Sequence, residues 1–139
     1  MRIRSFESAD EDAVVELWQR CELTRPWNDP RRDIARKREV QPELFLVGEL
    51  DGRLVATAMA GYEGHRGWVS YLAVDPAYQR RGLARALLDR VESCLLERGC
   101  PKLNVQIRAS NAGVVAFYRE LGYVEDAVVS MGKRLVRDT

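Results

Sequence analysis

The sequence lacks the means to build several familiar kinds of protein. It holds three cysteines, Cys21, Cys94 and Cys100, with no CxxC spacing, and a single histidine, His65. A zinc site of the usual Cys/His kind is hard to assemble from so few ligands, so no metal is expected. Long hydrophobic runs are missing too: charges interrupt every stretch well short of the ~18 residues a membrane span needs. No apolar segment follows Met1-Arg2-Ile3-Arg4, so no signal peptide is read. Nor is there an excess of either charge. With 22 basic and 21 acidic residues the formal net charge is +1, and neither nucleic acid nor a membrane surface is expected as a partner. Ten Gly and five Pro in 139 residues, with 46% hydrophobic and 31% charged, exclude disordered and collagen-like chains. What remains is one soluble domain spanning 1–139, expected in the cytoplasm.

What is present alternates between strand and helix. Arg2 to Phe6 alternates as a strand does, and Ser8-Ala9-Asp10-Glu11 has capping-box spacing. Ala13, Val14, Leu17, Trp18 and Cys21 mark one face of a helix. After the loop Thr24 to Asp29, Asp29-Pro30 opens a short helix rich in Arg and Lys, read as a solvated face. Leu44 to Leu50 and Arg53 to Tyr62 flank Asp51-Gly52, a type I′ hairpin signal. Gly61 to Gly67 is a wide hairpin leading to the fourth strand, Trp68 to Val74. A long amphipathic helix follows, with Leu83, Leu87, Leu88, Val91, Cys94 and Leu95 on its apolar face and Gly99 at its end. A buried thiol is the role this gives Cys94. Leu103 to Ile107 is a fifth strand, Asn111 to Leu121 a further helix, and Tyr123 to Val136 one or two closing strands.

The chemistry centres on residues 72 to 85. There a strand ends, and a polar, glycine-containing turn starts the long helix. Such a turn points successive backbone N–H groups outward, and the helix dipole adds positive partial charge, which suits a pyrophosphate. Gly82 and Ala84 keep the backbone approachable, and Arg80, Arg81 and Arg85 ring the mouth. A helix start with solvated arginines reads equally from so short a motif. Neither GxGxxG nor GxxxxGK(S/T) occurs, so dinucleotide and P-loop readings lose support.

The run Tyr71-Leu-Ala-Val-Asp-Pro-Ala-Tyr-Gln-Arg-Arg-Gly-Leu-Ala84 resembles the coenzyme A signature of the GNAT acetyltransferases. Arg108 to Tyr123 resembles that family's second signature, and Thr24 to Pro30 with Gly64 to Gly67 resembles its small bacterial YpeA-type members. The resemblance implies an α/β (α+β) GNAT fold. Its central sheet is mixed and mostly antiparallel, of six to seven strands flanked by about four helices and splayed between strands 4 and 5. It implies acetyl-CoA as co-substrate. Backbone amides from Gln79 through Arg80, Arg81, Gly82, Leu83, Ala84 and Arg85 match those that cradle its pyrophosphate. Leu72, Ala73 and Val74 match the open strand edge along which pantetheine lies, Asn111 the asparagine that bonds the pantetheine arm, and Tyr118 the tyrosine beside the thioester sulfur. Asn111 also suits a helix cap, and Tyr118 also suits plain packing. A homodimer is a common solution for this fold.

The implied reaction is direct attack of a neutral primary amine, on a small molecule or a peptide, upon the acetyl carbonyl. A phenol titrates near ~10 and a thiol near ~8.5, so Tyr118 acts first as a hydrogen-bond donor to the departing sulfur. The base departs from the family pattern: where the ribosomal-protein N-terminal acetyltransferases have glutamate, this chain has Gln106. Glu63 and His65 remain as catalytic candidates, with Tyr71 as a relay; a histidine titrates in the useful range near ~6.5. Trp27, Asn28, Tyr62 and Tyr71 are the acceptor-binding candidates, although Trp27 reads equally as packing on the sheet. Deprotonating a lysine-like amine at neutral pH costs more than ~4 kcal/mol against about 1 for an α-amine, so a low-pKa amine is the easier acceptor. Two other readings stay open: a protein N-terminal α-amine acetyltransferase, and a non-catalytic acyl-CoA-binding regulatory module.

Overall fold

Strand β1 (Arg2–Ser5) leads through a short 3-10 turn into helix α1 (Glu11–Arg20) in the computed structural model, which describes residues 1–138. Helix α2 (Pro30–Arg38) follows, then the antiparallel strands β2 (Phe45–Leu50), β3 (Arg53–Tyr62) and β4 (Gly67–Val74). Helix α3 (Leu83–Glu97) crosses over to β5 (Leu103–Val105), and α4 (Ala112–Glu120) comes last. The five strands form one sheet in the order β1-β2-β3-β4-β5. Only β4 and β5 run parallel, joined by the helix-long crossover of α3; tight hairpins join β2 to β3 and β3 to β4, and α1 and α2 lie between β1 and its antiparallel partner β2. Asp51 and Gly52 have φ of 52° and 75°, as the type I′ turn between β2 and β3 requires.

Two units divide the described residues: 1–105 together with Asp138, and 106–137. In the first unit helices cover both faces of the sheet. Val14, Val15, Leu17 and Trp18 of α1 and Ile34 of α2 join Phe45, Val47 and Ala73 in one buried cluster. Leu87, Leu88, Val91 and Leu95 of α3 are buried where that helix packs on β3 and β4. Covered on both sides, β3 is buried almost continuously from Val55 to Ala60 instead of alternating. Gly67 lets α3 close over the sheet: a Cβ there would come within 2.8 Å of Leu95 Cδ1 and 2.9 Å of Cys100 Sγ. No helix among the described residues is long and apolar enough to cross a membrane.

Several expectations need correction. Five strands are found among the described residues, not six to seven. No strand forms over 123–138, and Val124, Val128, Val129, Met131, Leu135 and Val136 are exposed there. An alternating pattern is only a propensity; a strand exists where a neighbouring edge supplies its hydrogen bonds. β5 ends at Val105, short of Ile107. At the start of α1 the box lies one residue early. Asp10 Oδ2 accepts from Glu7 N at 2.8 Å because Arg4 fixes that carboxylate with bonds of 2.7 and 2.8 Å, while Ser8 Oγ accepts from Arg38 instead. On α1, Val15 is buried and Ala13 is exposed. Cys94 is only half-buried; Cys100 is the buried thiol.

Candidate active site

The register between β3 and β4 slips once: Thr57 opposes Ala73 and Met59 opposes Ser70, so Tyr71 and Leu72 together face Ala58. This is a β-bulge, and Tyr71 takes the left-handed conformation, φ 50°, which a bulky residue adopts only under constraint. The constraint is visible. Thr57 Oγ1 accepts from Trp18 Nε1 at 2.9 Å and donates to the Tyr71 carbonyl at 2.8 Å. The Tyr71 ring stacks on Trp18 with centroids 3.8 Å apart, and its phenol donates to Asp33 Oδ2 at 2.6 Å. Burial, then the Asp33 carboxylate, push that phenol well above its ordinary range, so it stays protonated.

The bulge coincides with the loss of β4's other neighbour. β4–β5 pairing covers Gly67↔Leu103, Trp68↔Asn104 and Val69↔Val105 and stops there. From Ser70 to Val74 the strand therefore turns an edge without a β5 partner toward any extended ligand, the arrangement used when a peptide-like chain adds to a sheet. Leu72, Ala73 and Val74 all lie on this stretch, next to Tyr71.

Where β4 ends, the chain makes the turn expected of an anion site. Asp75, buried, accepts from Ala77 N at 3.0 Å and from Arg20 at 2.8 Å, which anchors the exit from the sheet. Gln79 Nε2 reaches back to the Val74 carbonyl at 3.3 Å. Arg80 and Gly82 both have positive φ, 63° and 75°, and Gly82 is the N-cap of α3 with no side chain capping it. The first helical bond is Ala86 N to Gly82 O, so the amides of Leu83, Ala84 and Arg85 have no intrahelical acceptor. A Cβ at Gly82 would meet nothing within 4 Å, so the cradle is open. Arg81 packs over the Tyr78 ring at 5.1 Å, and Arg80, Arg81 and Arg85 form no ion pair among the described residues. Free amides, an open glycine and unneutralised guanidinium groups together fit the pyrophosphate of coenzyme A.

Beside Tyr71 lies a pocket of about 350 Å³. The sheet contributes Met59, Ser70 and Tyr71; Asp33, Arg36 and Lys37 of α2, with Val40, form the opposite wall. The basic helix is thus more than a solvated face. Asp29 caps it by accepting from Arg31 N, and Asp138, itself buried, accepts from Asp29 N and binds the Arg36 guanidinium. The Lys37 ammonium donates to the Ala60 carbonyl; burial pushes its pKa below the ordinary lysine range.

The other candidates are spread out. Glu63 Oε1 accepts from His65 N and Arg66 N, so its carboxylate closes the β3–β4 turn. His65 is exposed, and Tyr62 donates its phenol to the Gly64 carbonyl. This hairpin stands at the β5-paired end of β4; seven residues separate His65 from Leu72, ~23 Å along an extended strand. Trp27 is 54% exposed, which removes the reading that buries it on the sheet, and Asn28 N closes its loop onto Arg25 O. In the second unit Asn111 caps α4, accepting from Val114 N at 3.2 Å, and Gln106 donates to Ser130 Oγ. Tyr118 is buried between the edges of Phe117 and Tyr123, and burial pushes its phenol up to about 12.

Sequence reasoning missed Thr57, Asp33 and Lys37. Thr57 is the one polar residue in the apolar run Leu54 to Ala60, and Asp33 and Lys37 stand four apart on one helix; both signals were present.

An open strand edge thus runs straight into an arginine-flanked helix start. The family model for the GNAT acetyltransferases matches residues 11–123, and the chain belongs to that family. An acetyltransferase of Sodalis glossinidius is 49% identical over 139 residues, covering 99% of this chain and 98% of the relative. One from Yersinia pestis is 49% identical over 138 residues with the same coverage. Among solved structures, Ard1 from Thermoplasma volcanium superposes with a TM-score of 0.81 at 25% identity, over 91% of this chain and 84% of its own. The ribosomal-protein-S18-alanine N-acetyltransferase from Escherichia coli gives a TM-score of 0.75 at 31% identity, over 90% of this chain and 78% of its own.

Proposed function

We propose that the chain is an N-acetyltransferase that moves an acetyl group from acetyl-CoA directly to a primary amine. The observation that carries the reading is the unpaired edge Ser70–Val74 running straight into the open amides and unpaired arginines of residues 80–85. The two units act as one domain in this reading, in keeping with a family match that spans both.

Arg80, Arg81 and Arg85 and the amides of the turn hold the pyrophosphate, and the edge of Leu72 to Val74 takes the pantetheine arm. Asn111 adds a hydrogen bond to that arm besides capping α4. One backbone N–H freed at the bulge polarises the acetyl carbonyl. The acceptor nitrogen attacks, a C–N bond forms and the C–S bond breaks. The nitrogen gives up one proton, and the sulfur takes the electron pair and a hydrogen bond or proton from the Tyr118 phenol. The proton from nitrogen passes to the Tyr71 phenol oxygen as Tyr71, acting as a relay, hands its own proton to the Asp33 carboxylate. The chain acts in the cytoplasm in this reading.

Thiol release from acetyl-CoA with a panel of amines, amino acids and α-amino peptides tests the function. Turnover on at least one class is expected. Tight acetyl-CoA binding without turnover on any would favour a regulatory acyl-CoA-binding module, and absence of binding would sink both. The likeness to an enzyme named for a protein N-terminal alanine supports a second reading, a peptide α-amine acceptor.

A further inference from the structure

Asp33 and Lys37 stand four residues apart on α2, so their side chains share one face, with Cβ atoms about 6 Å apart. Their charges are opposite, yet they are engaged elsewhere. Asp33 accepts from the Tyr71 phenol and, at 3.0 Å, from Arg36 Nη1. Arg36 is in turn neutralised by the buried Asp138 carboxylate. Lys37 has the Ala60 carbonyl as its partner and no carboxylate within ion-pair distance among the described residues. Glu43 and Arg98 act on it only through space, with opposite signs, and burial dominates both. A half-buried ammonium served by a carbonyl is a place short of an anion. Tyr71 shows the complementary lack. Its proton goes to Asp33, so its oxygen lone pairs are left for a donor. The lining of the pocket thus offers both an acceptor atom backed by a carboxylate and an ammonium, with Val40 and Met59 as its apolar part.

We infer that this pocket takes a free α-amino acid as the acetyl acceptor, its amine on Tyr71 Oη before Asp33 and its carboxylate on Lys37. The inference rests on the acetyltransferase reading above. A peptide N-terminus has an amide where the carboxylate would be, and a polyamine has a second cation; each leaves Lys37 without its anion. An α-amino acid carries both charges on one carbon, close enough to bridge a helical i,i+4 pair. The volume agrees: about 350 Å³ lies at the low end of the ~300–1,000 Å³ range of small-molecule sites. The amine end is also the right one, because Tyr71 begins the bulge at which β4 loses β5.

Three probes of one shape separate the two ends: leucine, isoamylamine (leucine without its carboxylate) and 4-methylpentanoate (leucine without its amine). In thiol-release assays on the full chain, kcat/KM for leucine is expected to exceed that for isoamylamine and for the peptide Leu-Gly-Gly by about 30-fold, because a group built to pair rejects the analogue lacking its partner. Lys37→Met shrinks the leucine-to-isoamylamine ratio about tenfold, some 1.4 kcal/mol. Lys37→Arg restores it and guards against a misfolded variant, and Asp33→Asn weakens both amines. Calorimetric titration with leucine supplies a readout without turnover: binding is weakened by Lys37→Met. A peptide or a simple amine preferred over every free amino acid, or an unchanged ratio in Lys37→Met, overturns the inference while leaving an acetyltransferase. Leucine binding that depends on Lys37 in a chain that fails to bind acetyl-CoA would sink the acetyltransferase reading and keep the amino-acid site.

Discussion

Thr57→Val is the substitution that most directly tests how the site is built. Thr57 is fully buried, and its hydroxyl is shared between the Trp18 indole N–H and the Tyr71 carbonyl. Valine has nearly the same shape but no hydroxyl, so two buried polar groups lose their partner at once. Each unpaired group costs about 1–2 kcal/mol, and the added methyl returns about 0.8. The expected net loss is ~2 kcal/mol, near 7 °C in Tm for a domain of this size. Urea unfolding with an unchanged m-value measures it. Thr57→Ser keeps the hydroxyl and is expected to lose only about 1 kcal/mol, for its methyl. A double-mutant cycle with Trp18→Phe isolates the shared bond, with a coupling of about 1 kcal/mol expected. Because the same hydroxyl fixes the Tyr71 backbone at φ 50°, kcat is expected to fall along with stability. A Thr57→Val chain as stable as the parent, or a cycle with no coupling, would refute the claim that this hydroxyl holds the bulge.

Four further outcomes are expected. Tyr118→Phe lowers kcat by about 10²-fold with acetyl-CoA affinity little changed; equal kcat values remove the role. Burial pushes the Tyr118 phenol up to about 12, so its contribution to stability is complete below its unfolded pKa near ~10 and is lost as pH rises toward 12; an alkaline unfolding curve indifferent to Tyr118→Phe contradicts this. The Arg4 guanidinium holds Asp10 below the usual carboxylate range, against the opposing effect of burial. Its stabilisation is therefore present above the unfolded pKa and lost as pH falls through the lower folded value. Asp10→Asn should flatten the acid limb of Tm against pH, and an unaltered limb counts against it. Gly82→Ala meets no neighbour but forces an L residue to φ 75°. It should cost about 1 kcal/mol and loosen the turn; calorimetry is expected to show weaker coenzyme A binding, and unaltered affinity would argue against a role for that turn.

The turn proposed to hold coenzyme A was legible because it is local. Residues 72 to 85 are contiguous, and the strand end, the glycine at positive φ and the helix start are each written in neighbouring residues. The pocket proposed for the acceptor was not, because it is assembled from α2, β3 and β4, which meet only after folding. Arg36 and Lys37 read as solvated for that reason: their spacing on α2 is visible, but the Asp138 carboxylate and the Ala60 carbonyl that receive them lie 102 and 23 residues away. Glu63 and His65 were proposed for their chemistry; folding put the Glu63 carboxylate to work closing its own turn.

By itself the sequence determined the order of elements from β1 to α4, the hairpin at Asp51-Gly52, the caps at Asp29 and Asn111 and the glycine-containing turn before α3. Each of these depends on interactions between residues a few positions apart. Only the tertiary structure decided where β4 parts from β5, how Thr57 and Trp18 hold Tyr71 in its bulge, and which acid lines the pocket beside it. Those depend on pairings between distant segments, and no local pattern of side chains encodes which two will meet.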